Sequence, residues 1–161
     1  LTLSEIKGGL IFYGKGNCAS CHSGPLFSDL NFYSIPFPQI GFGKNGFGVD
    51  YGKFNVTFNP DDLYKFRTPP LYNVENTFPY SHSGSVYDLK ESIIYHFDPL
   101  RNYKPEEYSE IDRNEYYKKL TSSGSEMELI PYLDDNELDN LVDFLKTLSF
   151  PGKDQKLTKA N

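Results

Sequence analysis

The chain has 161 residues, a length typical of one domain, and hydrophobic residues make up 38% of it. Its formal net charge is −6 at pH 7, which argues against nucleic acid as a partner because phosphate binding needs a basic face. No run of about 20 apolar residues occurs in the sequence, so a transmembrane span is excluded.

The N-terminal stretch predicts a helix over residues 2–14. Thr2 or Ser4 can cap this helix, and apolar side chains recur on one face over residues 6–13. This short helix leads directly into the motif that follows.

The motif Cys18-Ala19-Ser20-Cys21-His22 holds the chain's only two cysteines. Its pattern, C-x-x-C-H, is the attachment signature of a c-type haem. Two thiols on one turn can add to the two vinyl groups of the macrocycle. The adjacent histidine then supplies the proximal axial ligand of the iron. Because haem is attached to cysteines outside the cytoplasm, the motif also predicts a periplasmic or otherwise exported protein.

Three other uses of Cys18 and Cys21 compete with haem attachment. A thioredoxin-like redox pair belongs near a βαβ pattern, which does not follow here. A zinc site needs about four ligands, and the remaining candidates, His82 and His96, are spaced far more widely than the zinc-finger pattern. A disulfide across two intervening residues would close a small strained loop. Haem attachment therefore fits the motif best.

Residues 23–58 are rich in Gly, Pro, Phe and Asn and predict a long loop. Within it the Asn45-Gly46 pair indicates a turn, which could form one short β-hairpin. The glycines around this pair lack the strand-to-helix context of a phosphate-binding loop. Because long loops in compact domains usually have a function, this one is expected to cover part of the haem edge.

The second half of the chain predicts a series of helices. Asn59-Pro60 is typical of a helix start, and Pro69-Pro70 should keep that helix short. A helix follows over about residues 85–97, and residues 105–121 predict one polar helix or two short ones.

The last helix is the clearest in the sequence. Asp134 or Asp135 can cap it, and leucines repeat at helical spacing up to Leu148. Residues 153–161 should form a frayed tail. We therefore expect one mainly α, cytochrome c-like haem domain over residues 1–161, with long irregular loops and possibly one short β-hairpin.

Further motifs follow the haem motif in a fixed order. They are Phe27-Ser28-Asp29, the segment FRTPPLYNV at residues 66–74, the segment TFPYSHSGSV at residues 77–86, and the final helix up to Leu148. In this order they resemble the C-terminal haem domain of bacterial di-haem cytochrome c peroxidases and the related MauG-type enzymes. The patterns F-R-x-P-x-L-x-N-V and T-x-P-Y-x-H-x-G-S are much more specific than C-x-x-C-H alone.

The resemblance implies a role in electron transfer. In that family the N-terminal domain carries the haem that meets peroxide, and the C-terminal domain carries the electron-transfer haem. The expected partners are therefore a second haem domain or subunit and a small electron-donor protein, which an acidic surface could steer if the donor is basic. Two alternatives stay open: direct peroxidase chemistry at this haem, and a non-catalytic docking subunit that bears haem.

The resemblance also places the sixth ligand of the iron on the helix after H-x-G-S-V, where peroxidases have Met and MauG-type proteins have Tyr. Counted without a gap, this position is His96, which predicts a bis-histidine haem with His22. Met127, in the loop before the last helix, and Tyr95 are the alternatives. The Pro69-Pro70 pair could offer a carbonyl to the free nitrogen of His22.

Four more residues have roles implied by the resemblance. His82 matches a histidine close to a haem propionate, and Arg67 is a second candidate because a planar guanidinium binds carboxylate well. Thr77 and Pro79 match positions whose backbone carbonyls help to hold a calcium ion at the domain interface of the peroxidases. A covalent haem c, possibly with calcium, is thus the expected cofactor set.

Overall fold

The computed structural model describes residues 1–39, 48–128 and 130–150, without the side chain of Met127. Within these ranges the α-helices are α1 (Leu3–Tyr13), α2 (Phe54–Thr57), α3 (Leu89–Ile94), α4 (Glu110–Ser122), α5 (Gly124–Met127) and α6 (Asp135–Lys146). Single turns of 3-10 helix occupy Cys18–Ser20, Pro60–Asp62, Val74–Asn76 and Pro105–Glu107. The predicted mainly α fold with long irregular loops is confirmed.

The described part of the chain contains one small sheet. Strand β1 (Phe32–Tyr33) pairs antiparallel with strand β2 (Phe66–Arg67), so that Phe32 lies opposite Arg67 and Tyr33 opposite Phe66. This sheet joins segments far apart in the sequence. The hairpin expected at Asn45-Gly46 lies outside the described residues. The sheet ties the loop after the haem motif to the segment at residues 66–74.

Helix α1 begins as its sequence predicts and packs closely on α6. The Thr2 side chain accepts a hydrogen bond from the Glu5 amide, and the Glu5 side chain accepts one from the Thr2 amide, which makes a capping box. Gly8 lies against the backbone carbonyl of Asn140 with no room for a Cβ. This close approach lets Phe12, only 1% exposed, enter the core.

Helix α6 supplies much of the main core. Asp134 and Glu137 form a capping box at its N-terminus. Its buried face packs with residues from α1, α3 and the segment at residues 71–74. The buried members of this cluster are Phe12, Leu71, Val74, Ile94, Leu133, Leu138, Leu141 and Leu145.

Helix α3 is shorter than the sequence predicts. Residues up to Val86 are held by an isolated antiparallel bridge between Tyr80 and Val86. The helix starts only after Asp88, whose side chain accepts a hydrogen bond from the Glu91 amide. His96 therefore lies in the turn that follows the helix, and its amide donates to the Ile93 carbonyl at 3.0 Å.

The sequence predicts one polar helix or two short ones over residues 105–121. The structure has two separate elements there, the 3-10 turn Pro105–Glu107 and the longer helix α4. It contributes Tyr116 to a second, smaller core with Val86 and Tyr95.

Asn59 caps the short helical turn at Pro60–Asp62, as expected. The predicted tail at residues 153–161 lies outside the described residues. None of the helices in the described ranges has the length and apolar composition that a membrane crossing requires.

Candidate haem site

The haem motif forms one tight turn after α1. Asn17 has a left-handed backbone conformation, with φ of 51°, and starts the 3-10 turn Cys18–Ser20. The amides of Cys21 and His22 both donate to the Cys18 carbonyl, at 3.3 and 2.9 Å. Both cysteines are free thiols and half-buried. The turn therefore presents two thiols and one imidazole together, as covalent haem attachment requires.

The Cys18 thiol is held in its protonated form. Burial is the main cause, and it raises the pKa of Cys18 to about 11. Redox-active cysteines of the thioredoxin type have a pKa below the ordinary value, because the thiolate is the reactive species. The environment of Cys18 therefore disfavours a thioredoxin-like redox pair.

The His22 ring is oriented by a backbone carbonyl. Its Nδ1 lies 3.0 Å from the carbonyl oxygen of Phe27. Burial lowers the pKa of His22, while the carbonyls of Phe27 and Pro69 and the Asp29 charge act in the opposite direction. A carbonyl can only accept a hydrogen bond, so we assign the proton of neutral His22 to Nδ1. Nε2 then keeps its lone pair for a metal. The contribution of Pro69 is smaller than that of Phe27.

His96 is oriented in the same way. Its Nδ1 lies 2.9 Å from the carbonyl oxygen of Ser92. Burial first, and then the nearby His22 imidazole, lower the pKa of His96 to about 4. His96 is therefore neutral at pH 7. Its Nδ1–H donates a hydrogen bond to the Ser92 carbonyl, and Nε2 keeps its lone pair.

The combination of two thiols and two neutral imidazoles fits a c-type haem. Each imidazole offers Nε2, the usual iron ligand, and has its other nitrogen bonded to a backbone carbonyl. A zinc site fits less well. Across residues 1–39, 48–128 and 130–150, no group of three or more His, Cys, Asp or Glu side chains could hold a metal ion.

Tyr95 and Met127 are the two alternatives to His96 as the sixth ligand, and the structure describes the side chain of Tyr95 only. The Tyr95 ring is 5% exposed and packs against the Phe37 ring, with 5.2 Å between ring centroids. Burial raises the pKa of Tyr95 to about 12, so it stays a protonated phenol. This position disfavours Tyr95 as a ligand. Met127 ends α5, and its side chain lies outside the described residues.

His82 does not join the cysteines and the other two histidines. Its Nε2 lies 2.7 Å from Oδ2 of Asp50, and its ring stacks on Phe66 with 3.9 Å between centroids. Asp50 is 9% exposed and also accepts hydrogen bonds from Gly52 and Asn55. The Asp50 carboxylate therefore fixes the His82 ring, and no sequence pattern indicates this pairing.

The other predicted site residues lie at the surface. Arg67 is exposed on β2, and within the described residues its guanidinium has no ion-pair partner. Thr77 and Pro79 are exposed, and no backbone amide of the described residues donates to their carbonyls. Two carbonyls are fewer than the six to eight oxygens that calcium takes. The assignments of Arg67, His82, Thr77 and Pro79 therefore stay predictions.

Sequence reasoning missed the residues that support the site. The Ser92 carbonyl could have been found, because on a helix it lies one turn before His96. Nothing in the sequence indicates the Phe27 carbonyl. Tyr33 was also missed: its hydroxyl donates to Oδ2 of Asp29 at 2.7 Å, and the Asp29 amide donates to the Cys21 carbonyl at 2.8 Å.

Two open clefts lie elsewhere on the described surface. Their volumes are about 380 and 470 Å³. The first lies between Glu75, Phe78 and Lys90, and the second between Pro99 and Leu120. Neither is lined by Cys18, Cys21, His22 or His96, so neither competes with the haem site.

Comparison with curated proteins finds relatives that carry peroxidase-type names. No protein-family model matches the chain. It is 33% identical over 119 residues to cytochrome-c peroxidase IdrP1 of Pseudomonas sp. (strain SCT), which covers 60% of this chain and 31% of that protein. It is 32% identical over 128 residues to methylamine utilization protein MauG of Methylorubrum extorquens, which covers 74% of this chain and 34% of that protein. The chain thus spans about a third of the length of these relatives.

A solved structure confirms the architecture. The crystal structure of a MauG-like protein associated with microbial copper homeostasis matches with a TM-score of 0.69 and 29% sequence identity. The match covers 92% of this chain and 47% of that chain. The mainly α arrangement around the haem motif is therefore shared over nearly the whole sequence.

Proposed function

Because this chain belongs to the family of bacterial cytochrome c peroxidases and MauG proteins, we propose that it is the electron-transfer haem domain of a di-haem, peroxidase-type protein. It takes electrons from a small donor protein and passes them to a second haem centre in the periplasm. The observation that carries the proposal is the pair of neutral imidazoles, His22 and His96, each with Nδ1 bonded to a carbonyl and Nε2 free.

The residues of the site act by holding and orienting the cofactor. A bound haem c supplies a one-electron redox centre whose potential depends on its axial ligands, hydrogen bonds and burial. Cys18 and Cys21 would tether it, and His22 and His96 would bind the iron. The carbonyls that accept from the two Nδ1 atoms fix both rings and increase their basicity as ligands.

Two imidazoles available to the iron would favour electron transfer over peroxide chemistry. Peroxide needs an open or displaceable position on the iron and an acid–base group beside it. The His96 ring, which would bind the iron, is held by the Ser92 carbonyl and packed edge-on against Phe37 at 5.7 Å. A haem held by two imidazoles would have a lower potential than a His/Met haem.

The proposal includes assignments at the edge of the haem. Arg67 would bind a propionate, since its guanidinium offers N–H donors to a carboxylate, and His82 would lie beside the propionates. Thr77 and Pro79 contribute two carbonyl oxygens to a calcium ion, and the second haem domain supplies the remaining ligands. Both assignments require the partner domain to pack on the surface that carries residues 66–84.

The test is the spectrum of the protein made in a host that attaches haem c. We expect an intact mass that includes one haem and a low-spin spectrum that peroxide, cyanide and azide leave unchanged. His96→Ala should convert the iron to a high-spin or water-bound form that binds cyanide. Met127→Leu is the matched variant at the alternative ligand, and it should keep the wild-type spectrum.

Three outcomes would contradict the proposal. Colourless protein of bare polypeptide mass would remove the cofactor altogether. A low-spin spectrum that survives His96→Ala but not Met127→Leu would assign the ligand to Met127. A wild-type haem that reacts readily with peroxide would support direct peroxidase chemistry at this haem.

A further inference from the structure

A tyrosine–carboxylate pair lies beside the haem tether. The Tyr33 hydroxyl donates to Oδ2 of Asp29 at 2.7 Å. Asp29 is itself attached to the motif, because its amide donates to the Cys21 carbonyl at 2.8 Å. In the haem-loaded protein the Cys21 sulfur is bonded to the macrocycle. The phenol is thus linked to the cofactor through a path of two hydrogen bonds and two residues, Asp29 and Cys21.

Both members of the pair are held in place. The Tyr33 backbone is paired with Phe66 across the small sheet. The Asp29 carboxylate accepts two further hydrogen bonds from Asn31, from the amide at 2.9 Å and from Nδ2 at 3.0 Å. Such fixed geometry keeps the phenolic proton aimed at one carboxylate oxygen.

The Cys21 side chain also lies close to the Tyr33 hydroxyl. The hydrogen bond to Asp29 is the largest cause that raises the pKa of Tyr33 well above its ordinary value, and burial and the Cys21 sulfur add to it. Burial raises the pKa of Asp29, but the hydrogen bonds from Tyr33 and Asn31 outweigh it and keep the pKa below its usual range. In the resting protein the proton therefore stays on the phenol and the carboxylate is ready to accept it.

We propose that Tyr33 and Asp29 form a proton-coupled electron donor to the haem macrocycle. When the macrocycle has lost one electron, Tyr33 gives one electron to it, and the phenolic O–H bond breaks as its proton moves to Oδ2 of Asp29. The macrocycle is reduced, and the products are a neutral tyrosyl radical and a protonated carboxyl. The inference rests on the proposed function, in which hydrogen peroxide, reduced to water by two electrons at the partner haem, is the source of oxidising equivalents.

Tyr72 provides a matched comparison at the same site. Its hydroxyl donates to the Pro25 carbonyl at 2.7 Å, and its ring packs edge-on against Phe27 at 5.6 Å. Tyr72 is therefore also next to the segment that orients His22. Its acceptor is an amide carbonyl, which is far less basic than a carboxylate and cannot take the proton. We expect Tyr72 to be a poor donor for this reason.

The experiment generates the oxidised macrocycle at the site itself. In the haem-loaded protein the iron is replaced by zinc, and intact mass confirms that the porphyrin is still bound. A laser flash with pentaamminechlorocobalt(III) as electron acceptor then removes one electron from the porphyrin. The decay of the porphyrin cation is followed by absorbance in H2O and in D2O, and the tyrosyl radical by electron paramagnetic resonance.

The expected results separate Tyr33 from the other tyrosines. The wild type and Tyr72→Phe should show fast cation decay, a solvent isotope effect and a tyrosyl radical. Tyr33→Phe should lose the radical signal and the fast phase of decay. Asp29→Asn, which keeps the shape of the carboxylate, should slow the decay and reduce the isotope effect.

Equal decay and equal radical yield in Tyr33→Phe and Tyr72→Phe would overturn the inference, as would the absence of any radical in the wild type. Protein that retains no covalent porphyrin would overturn the proposed function, and the inference with it. Porphyrin that is retained without a Tyr33 radical would overturn the inference alone.

Discussion

At the scale of single residues, burial sets the charge of Lys119 on α4. This lysine is 7% exposed. Within the described residues, its ammonium has one long contact of 3.4 Å to the Phe37 carbonyl and lies 5.8 Å from the centre of the Tyr64 ring. Desolvation lowers the pKa of Lys119 to about 8, although the charges of Asp50 and Glu115 act in the opposite direction. The folded protein thus carries the cost of a poorly solvated ammonium at neutral pH.

The sign of the resulting pH dependence follows from proton binding. Between pH 8 and the unfolded pKa of 10.5, the unfolded chain binds more protons at this lysine than the folded one. The contribution of Lys119 to stability therefore rises with pH over this window, by up to about 3 kcal/mol. Below the window both states are protonated and the folded state bears the full cost.

Lys119→Met should remove this dependence while filling a similar volume. At pH 7 we expect the variant to be at least as stable as the wild type, because an apolar residue replaces a buried charge. The difference in unfolding free energy should shrink by up to about 3 kcal/mol as pH rises from 8 to 10.5. Urea unfolding of both proteins at several pH values measures it, and a pH-independent difference would contradict the prediction.

At the scale of elements, the packing of α1 on α6 depends on Gly8. A Cβ at this position would meet the Asn140 carbonyl oxygen, and would lie 2.7 Å from the Asn140 carbonyl carbon and from the Phe144 Cβ. These atoms belong to the α6 backbone or lie next to it, so they cannot move without moving the helix. Gly8→Ala should therefore destabilise the protein by about 3 kcal/mol or more.

The adjacent Gly9 is the control for this substitution. A Cβ there would lie 3.4 Å from the Phe144 ring, which is ordinary contact. Gly9→Ala should be neutral or stabilising by up to about 1 kcal/mol, since alanine favours the helix. Chemical unfolding of the two variants gives the comparison, and equal effects would show that the α1–α6 contact does not limit stability.

Because α1 leads into Cys18, Gly8→Ala should also reduce the yield of haem attachment.

The elements that the sequence predicts well are those defined by local chemistry. Helices α1 and α6 begin at their capping residues because both ends of each capping box lie within four positions. The sequence predicts the start of α3 too early, because Val86 pairs with Tyr80 in a β-bridge instead of joining the helix. Hydrophobic periodicity does not reveal such a bridge. The small sheet escaped prediction for the same reason, because its two strands are two residues each and distant in the chain.

The same division holds in the site. The two cysteines and both candidate imidazoles follow from the motif and from the resemblance, because their spacing is fixed along the chain. Their orientation depends on the Phe27 and Ser92 carbonyls, and that of His82 on Asp50. Backbone acceptors have no sequence signature, and a carboxylate 32 positions away cannot be paired from spacing. Sequence therefore predicts which groups react, and the fold decides how they are held.

At the scale of the whole molecule, the chain is acidic. It has 22 acidic and 16 basic residues, which give the net charge of −6. A field of this sign attracts a basic protein and raises the rate of encounter, more than the strength of the final complex. If the proposed role is right, reduction of this haem by a small basic cytochrome should be limited by electrostatically steered association.

This steering predicts a steep dependence on salt. Raising the ionic strength from about 10 mM to about 150 mM shortens the Debye length from ~30 Å to ~8 Å. We expect the second-order rate of reduction by a basic cytochrome to fall about tenfold or more over this range. Stopped-flow absorbance at the haem band measures it. A small uncharged reductant, for which no steering exists, should show no such fall. A rate with the basic donor that does not change with salt would mean that the acidic residues lie away from the face where electrons enter. Docking would then have to depend on apolar contact instead.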